Sequence, residues 1–329
     1  MEIVKGSNLY DILEKYSKED EHLGQRLIDL QKRINNQEIY IPFLGVQGAG
    51  KSTLINSLLG EDILPNEADE TTCIPVEVRY SDKPVVKVFK NDDVTETIKL
   101  SKDEIAQYVD NTYNPGNEKG IKRIVIENKY EVLKNGVIIV DLPGVGSLTH
   151  ENEETTVNYI QKVSATVFLF STTPPILKKE AKFIESIWRN INNAFFVQNV
   201  WNDISEKEKQ EGLERNRNTL LSISEKINAS YDGKVIPINA WAAAKGNFTK
   251  NEEMIKKSNI DELKNEIDSF AVNYADNAEK SFRYRVIMTV DYVKDILEEK
   301  IDQSSMSYDE VMELIRFQTL KLRRMKLAK

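Results

Sequence analysis

The sequence predicts an α/β protein: a mostly parallel sheet with helices on both faces, joined to a helical bundle built from the two ends of the chain. Three observations carry that prediction. Between residue 38 and about residue 248, strand-sized apolar runs alternate with helical stretches, the pattern of a parallel sheet covered on both sides. A glycine-rich loop stands between the first of those strands and the helix that follows it. Outside this region, apolar residues recur at three- and four-residue spacing near both termini. Such stripes cannot be buried by one helix alone, so the two ends are expected to pack on each other.

In chain order, Leu9, Ile12, Leu13, Tyr16, Leu23, Leu27, Leu30 and Ile34 mark an amphipathic helix over 8–36, broken near Gly24. It sets the first boundary at residue 37. Strands are expected at 39–44, 76–80, 85–89, 124–127, 137–141, 165–170, 194–199 and 235–238. Helices are expected at 53–59, 102–109, 151–163, 178–190 and 207–229, with a turn-rich loop at 111–120. The α/β region then runs over 38–250. Residues 251–329 are assigned to the bundle, with helices at 260–275, 278–301 and 308–327. The final stretch, 316–329, is basic and contains no acidic residue. Its helix either faces the bundle or lies on anionic lipid.

Composition excludes several function classes. The 329 residues are 40% hydrophobic and 30% charged, ordinary for a globular chain with room for about two domains. No apolar run approaches the roughly 20 residues that span a bilayer. The N-terminus lacks a charged-then-apolar signal pattern, and a cytoplasmic location is expected. The single cysteine, Cys73, excludes a disulfide framework. Two histidines, His22 and His150, with one cysteine argue against a His/Cys metal site or a Ser-His-Asp hydrolase. A net charge of −8 argues against nucleic acid as a partner.

The loop Gly45-Val46-Gln47-Gly48-Ala49-Gly50-Lys51-Ser52 is a complete G-x-x-x-x-G-K-[ST] element, in the strand–loop–helix context its chemistry needs. The glycines let backbone N–H groups turn onto phosphates at the positive end of the following helix. Lys51 is expected on the β- and γ-phosphates and Ser52 on Mg²⁺, with Thr53 completing the nucleotide-binding set. The chain is therefore expected to bind a nucleoside triphosphate.

Four further elements follow in the order of a P-loop GTPase domain. Thr72, in Thr71-Thr72-Cys73-Ile74-Pro75, is placed to close on Mg²⁺ and the γ-phosphate. Asp141-Leu142-Pro143-Gly144 supplies an aspartate for the Mg²⁺ shell, through water, and the Gly144 N–H for the γ-phosphate. Val145 stands where many such enzymes carry a water-positioning glutamine, so Gln47 is taken as the residue that organises the hydrolytic water. For the base, Asn199-Val200-Trp201-Asn202-Asp203 stands in place of [NT]-K-x-D. Counting from Asn199 puts Asn202 at the aspartate position, whereas a one-residue bulge would bring in Asp203. A carboxylate suits guanine N1 and N2 better than an amide, and Asp203 is favoured. Val200 replaces the lysine that normally stacks on the base. Asn239-Ala240 resembles the S-A-K element whose backbone N–H groups back the guanine.

Taken together, the stretch from Gly45 to Gly60, Ile63-Leu64-Pro65, Thr71-Thr72 and Asp141 to Gly144 resemble the dynamin superfamily, above all bacterial dynamin-like proteins and their mitofusin relatives. Asn199-Val200-Trp201-Asn202 is similar to the N-x-W-D of mitofusin-like members. The resemblance covers about residues 40–245 and the layout of flanking helices. It implies a large, low-affinity GTPase that uses Mg²⁺ and forms homodimers or hetero-dimers through its GTPase faces. Hydrolysis would move the adjoining bundle to remodel or tether membranes, at the inner face of the cell membrane. Gly48 stands where eukaryotic dynamins carry a serine linked to a monovalent cation. The 329 residues hold no membrane-inserting paddle, hydrophobic hairpin or long stalk, so either the chain is truncated or a partner makes the membrane contact. The competing reading is a nucleotide-dependent interaction module with vestigial hydrolysis.

Overall fold

The computed structural model describes residues 38–65, 74–142, 159, 163–189, 191 and 193–274, all within the unit Glu38–Asp276. The helices expected at 8–36, 278–301 and 308–327, and nearly all of that at 151–163, lie outside the described residues. The strands are β1 (Ile39–Leu44), β2 (Val76–Tyr80), β3 (Val85–Lys90), β4 (Thr95–Ile98), β5 (Ile121–Asn128), β6 (Val137–Asp141), β7 (Thr166–Ser171), β8 (Ala194–Asn199) and β9 (Ile236–Ile238). They form one sheet in the order β4-β3-β5-β2-β6-β1-β7-β8-β9. Its helices are α1 (Lys51–Leu59), α2 (Lys102–Val109), α3 (Lys178–Trp188), α4 (Glu206–Ile227), α5 (Ala240–Thr249), α6 (Glu252–Lys257) and α7 (Ile260–Val272).

Five strand pairings are parallel and three antiparallel, so the sheet is mostly parallel, as the alternation of elements predicts. All six residues of β1 are buried, because a central strand covered on both faces has no solvent side. Successive side chains still alternate between two cores. Ile41, Phe43, Ile139, Val167 and Val197 join Leu54 and Ile55 of α1 on one face. Tyr40, Leu44, Ile138, Phe168 and Phe196 meet Trp188 of α3 and Ile223 of α4 on the other.

Two findings depart from the sequence reading. The expected strands omit β4, a four-residue edge strand whose side chains alternate between exposed and half-buried. It pairs antiparallel with β3 across a turn in which Asp93 takes φ 62°. Its sequence, Thr95-Glu96-Thr97-Ile98, carries no apolar run, because an edge strand buries little. The second departure is a correction to the assignment of 251–329. In α7, Ile260, Leu263, Ile267 and Ala271 are buried in the same core as Ile41 and Leu54, and the helix contacts β9 and α1. Burying each large side chain contributes roughly 1.5–3 kcal/mol, enough to hold α7 on the sheet.

Candidate functional site

The loop between β1 and α1 is shaped by close approach. A Cβ on Gly45 would stand 2.3 Å from the Leu169 carbonyl oxygen of β7, so no side chain fits there. Gly50 caps α1 in the left-handed region at φ 94°, and a Cβ there would meet Asn199 Nδ2 at 2.7 Å. Ala49 is buried, whereas Gln47 and Gly48 are exposed at the loop tip. No residue of α1's own first turn is acidic, so its positive end, equivalent to about half an elementary charge, is met only by groups from other elements. Lys51 is fully buried at the start of the helix, its Nζ 3.5 Å from the Gly45 carbonyl and 3.4 Å from that of Val46.

Next in α1, Ser52 Oγ donates to Asp141 Oδ2 at 2.9 Å. The aspartate ends β6, which pairs parallel with β1, so both strands deliver their C-terminal ends to one edge of the sheet. Two hard oxygen donors thus converge beside the phosphate loop, a donor set that fits Mg²⁺. Among the described residues no cluster of three His, Cys, Asp or Glu side chains forms a metal cage.

The direction of β2 then matters. It runs antiparallel to β6, with Val76 opposite Asp141. The chain that carries Thr72 therefore enters the sheet at the Asp141 end. Thr72 and Gly144 themselves lie outside the described residues.

On the other side of the loop, Asn199 is a brace. Its Nδ2 donates to the Ala49 carbonyl at 2.9 Å, and its Oδ1 accepts from Ala240 N at 3.3 Å. Asn199 ends β8, and its own carbonyl accepts from Thr172 Oγ1 at 2.9 Å. Ser57 Oγ of α1 donates to the Ala240 carbonyl at 3.0 Å, and Asn247 Nδ2 returns to the Ser57 carbonyl at 3.0 Å. Phosphate loop and base-side loop are one hydrogen-bonded assembly.

Residues expected to read the base occupy the two loops after β8 and β9. Asn239 Oδ1 accepts from Ala242 N at 2.8 Å, capping α5, so its amide nitrogen must face away. That nitrogen donates to Asn202 Oδ1 at 2.7 Å, which turns the Asn202 carbonyl inward and its N–H donors outward. Asp203 is exposed in the same turn. The backbone N–H groups of Asn239 and Ala240 donate to the Ser258 carbonyl at 3.0 Å and to Asn199 Oδ1. The structure thus brings Gly45, Gln47, Gly48, Ala49, Gly50, Lys51, Ser52, Thr53, Asp141, Asn199, Asn202, Asp203, Asn239 and Ala240 to the C-terminal edge of the sheet. The sequence motifs gave no sign that Asn199 spends both ends of its amide on the protein.

Behind this edge lies a buried ionic cluster that the sequence reading missed. Glu77 of β2 accepts from Arg79 Nε at 3.2 Å, Arg123 Nη1 at 3.0 Å and Tyr159 Oη at 2.9 Å. Burial pushes the Glu77 carboxyl up, but Arg79 and Arg123 together outweigh it and hold it below its ordinary value. Burial next to Glu77 pushes the Tyr159 phenol well up, so it remains a donor. The signal available in sequence was the charged alternation Glu77, Arg79 inside an otherwise apolar strand.

A parallel-centred sheet, a G-x-x-x-x-G-K-S loop entering a helix, a Ser–Asp pair at its mouth and an asparagine bracing the base-side loop together define a P-loop domain of the GTPase kind. The Dynamin family profile matches residues 41–199. An uncharacterized protein from the xynA 3′ region of Caldicellulosiruptor sp. is 33% identical over 241 residues, covering 73% of this chain and 58% of that protein. Dynamin-like protein A of Bacillus subtilis is 27% identical over 183 residues, 55% of this chain and 15% of that one. Among solved structures, an oligomerised bacterial dynamin pair superposes with TM-score 0.59 at 19% identity, over 97% of this chain and 51% of that chain. The chain belongs to the dynamin superfamily. It spans little more than half the length of the first of these relatives and less of the second.

Proposed function

We propose that this chain binds GTP with Mg²⁺ and hydrolyses it, and that the nucleotide state governs its pairing with a second GTPase domain. The observation that carries the reading is the Ser52–Asp141 hydrogen bond at 2.9 Å beside a phosphate loop whose lysine is buried in place. In this reading Lys51 holds the β- and γ-phosphates, while Ser52 and Thr72 ligate Mg²⁺ and Asp141 orders its water shell. Bound Mg²⁺ would neutralise charge on the phosphate oxygens. Gly144 N–H meets the γ-phosphate and Gln47 orients the attacking water. Asp203 reads guanine, because the Asn202 carbonyl is already engaged by Asn239.

Pairing through GTPase faces, in a homodimer or hetero-dimer, and coupling to a bundle of residues 1–37 and the C-terminal helices follow from family membership. The solved dynamin pair is described as a mechanism for long-range sensing and tethering of membranes, which supports a membrane role here, direct or through a partner. Among the described residues, no helix is long and apolar enough to cross a membrane. The second reading, an interaction module with vestigial hydrolysis, is favoured by the engaged amide of Asn202.

Single-turnover hydrolysis of GTP and ATP, with and without anionic liposomes, separates the two. Turnover of GTP over ATP that vanishes in Lys51→Ala supports the enzyme. Tight GTP binding without turnover in any condition selects the module. Equal handling of GTP and ATP removes guanine specificity from both readings.

A further inference from the structure

With the backbone N–H groups of Asn239 and Ala240 engaged inside the protein, the part of their loop open to a base begins at the next residue. That residue is Trp241, which is 46% exposed. It sits in the first turn of α5, where Cα–Cβ bonds tilt toward the helix N-terminus. The N-terminus of α5 follows β9 at the same sheet edge as Asn199 and Asn202. Lys245, one turn further along, places its Nζ 4.6 Å from the centroid of the Trp241 ring. Lys245 covers one face of the indole, while nearly half of the residue stays exposed to solvent.

On the reading of the site as a nucleotide-binding one, we propose that Trp241 is the base-stacking residue, its open indole face receiving the flat surface of the purine. The role falls to it because Val200 has no long stem or ring to lay on a base. Stacking is indifferent to the hydrogen-bonding edge, so Trp241 contributes affinity and leaves discrimination between guanine and adenine to Asp203. Lysine at the back of the ring fixes the indole plane through a cation–π contact. Neither group takes part in the chemistry of the phosphates.

The full chain contains three tryptophans, and Trp188 is buried against Phe196, so nucleotide binding can be read from the other two. GDP with Mg²⁺ is titrated by calorimetry and by tryptophan emission into the parent, Trp241→Ala, Trp241→Phe and Trp201→Phe. Inorganic tripolyphosphate serves as a probe with phosphates and no base. Trp241→Ala is expected to weaken GDP about tenfold while tripolyphosphate affinity is unchanged. Trp241→Phe restores affinity but loses the emission quench, which Trp201→Phe retains. GDP affinity in Trp241→Ala equal to the parent's, or a full quench in Trp241→Phe, overturns the stacking role while the nucleotide site stands. Equal loss of GDP and tripolyphosphate assigns Trp241 to loop structure and also overturns it. A parent that binds neither probe overturns the nucleotide reading itself.

Discussion

Asn199 and Ala49 join the two halves of the candidate site: the asparagine at the end of β8 donates from Nδ2 to the alanine carbonyl of the glycine-rich loop at 2.9 Å. Truncating that side chain leaves a buried carbonyl and the Ala240 N–H without a partner. Asn199→Ala is expected to cost about 1–3 kcal/mol of stability, read as a shifted urea midpoint. GDP should weaken at least as much as the fold, because both loops lose their mutual support. Unchanged GDP affinity in a destabilised variant would show that the brace serves the fold alone.

The Ser52–Asp141 pair makes a prediction about metal removal. If these oxygens order Mg²⁺, parent affinity for GTP falls sharply when EDTA replaces Mg²⁺. Ser52→Ala and Asp141→Asn should bind GTP weakly in both conditions, compressing the difference. Either variant keeping the parent's full Mg²⁺ dependence would move the metal elsewhere.

For the base, the fixed orientation of Asn202 ranks two substitutions. Asp203→Ala should weaken GTP several-fold or more, since a charge-assisted bond is lost, whereas Asn202→Ala does less. Competition binding of GTP, ITP and ATP gives the ranking. The reverse order would assign guanine reading to Asn202.

Glu77 predicts a pH dependence. Its carboxyl is held below the ordinary 4.5 in the fold, so its stabilisation is fully present above that value. It is lost as pH falls through the lower, folded value. Glu77→Gln should be about 2 kcal/mol less stable than the parent at pH 7, and the gap should narrow below pH 4. Urea titrations across pH 3–7 give both curves. A gap independent of pH would mean that packing, not charge, sets the loss.

Much of this fold could be read from sequence because apolar period and glycine punctuation report local structure directly. The expected spans of β1, β2, β6 and β8 coincide with the observed strands. Strand direction carries no such signal: nothing in Val76 to Tyr80 says that β2 opposes β6. The stripe of Leu263, Ile267 and Ala271 likewise announces a buried face without naming what buries it, and α7 went to the sheet. At the site, the phosphate loop was legible because its chemistry fixes its spacing. The internal uses of Asn199, Asn202 and Asn239 were not, because an amide that reads a base and one that braces a loop look alike in sequence.

The Glu77 cluster also acts as a check on alignment. Along β2, Val76 and Val78 enter an aliphatic core, while Glu77 turns to Tyr159 and the two arginines on the other face. A slip of one residue against β6 would exchange the faces, driving the Glu77 carboxylate and the Arg79 guanidinium together among isoleucines and stranding Arg123 on the other side. Apolar strands of valine tolerate such errors; this one does not. The pairing of Val76 with Asp141, and with it the entry of the chain into β2 at the C-terminal end of β6, is favoured over a one-residue slip by that cost.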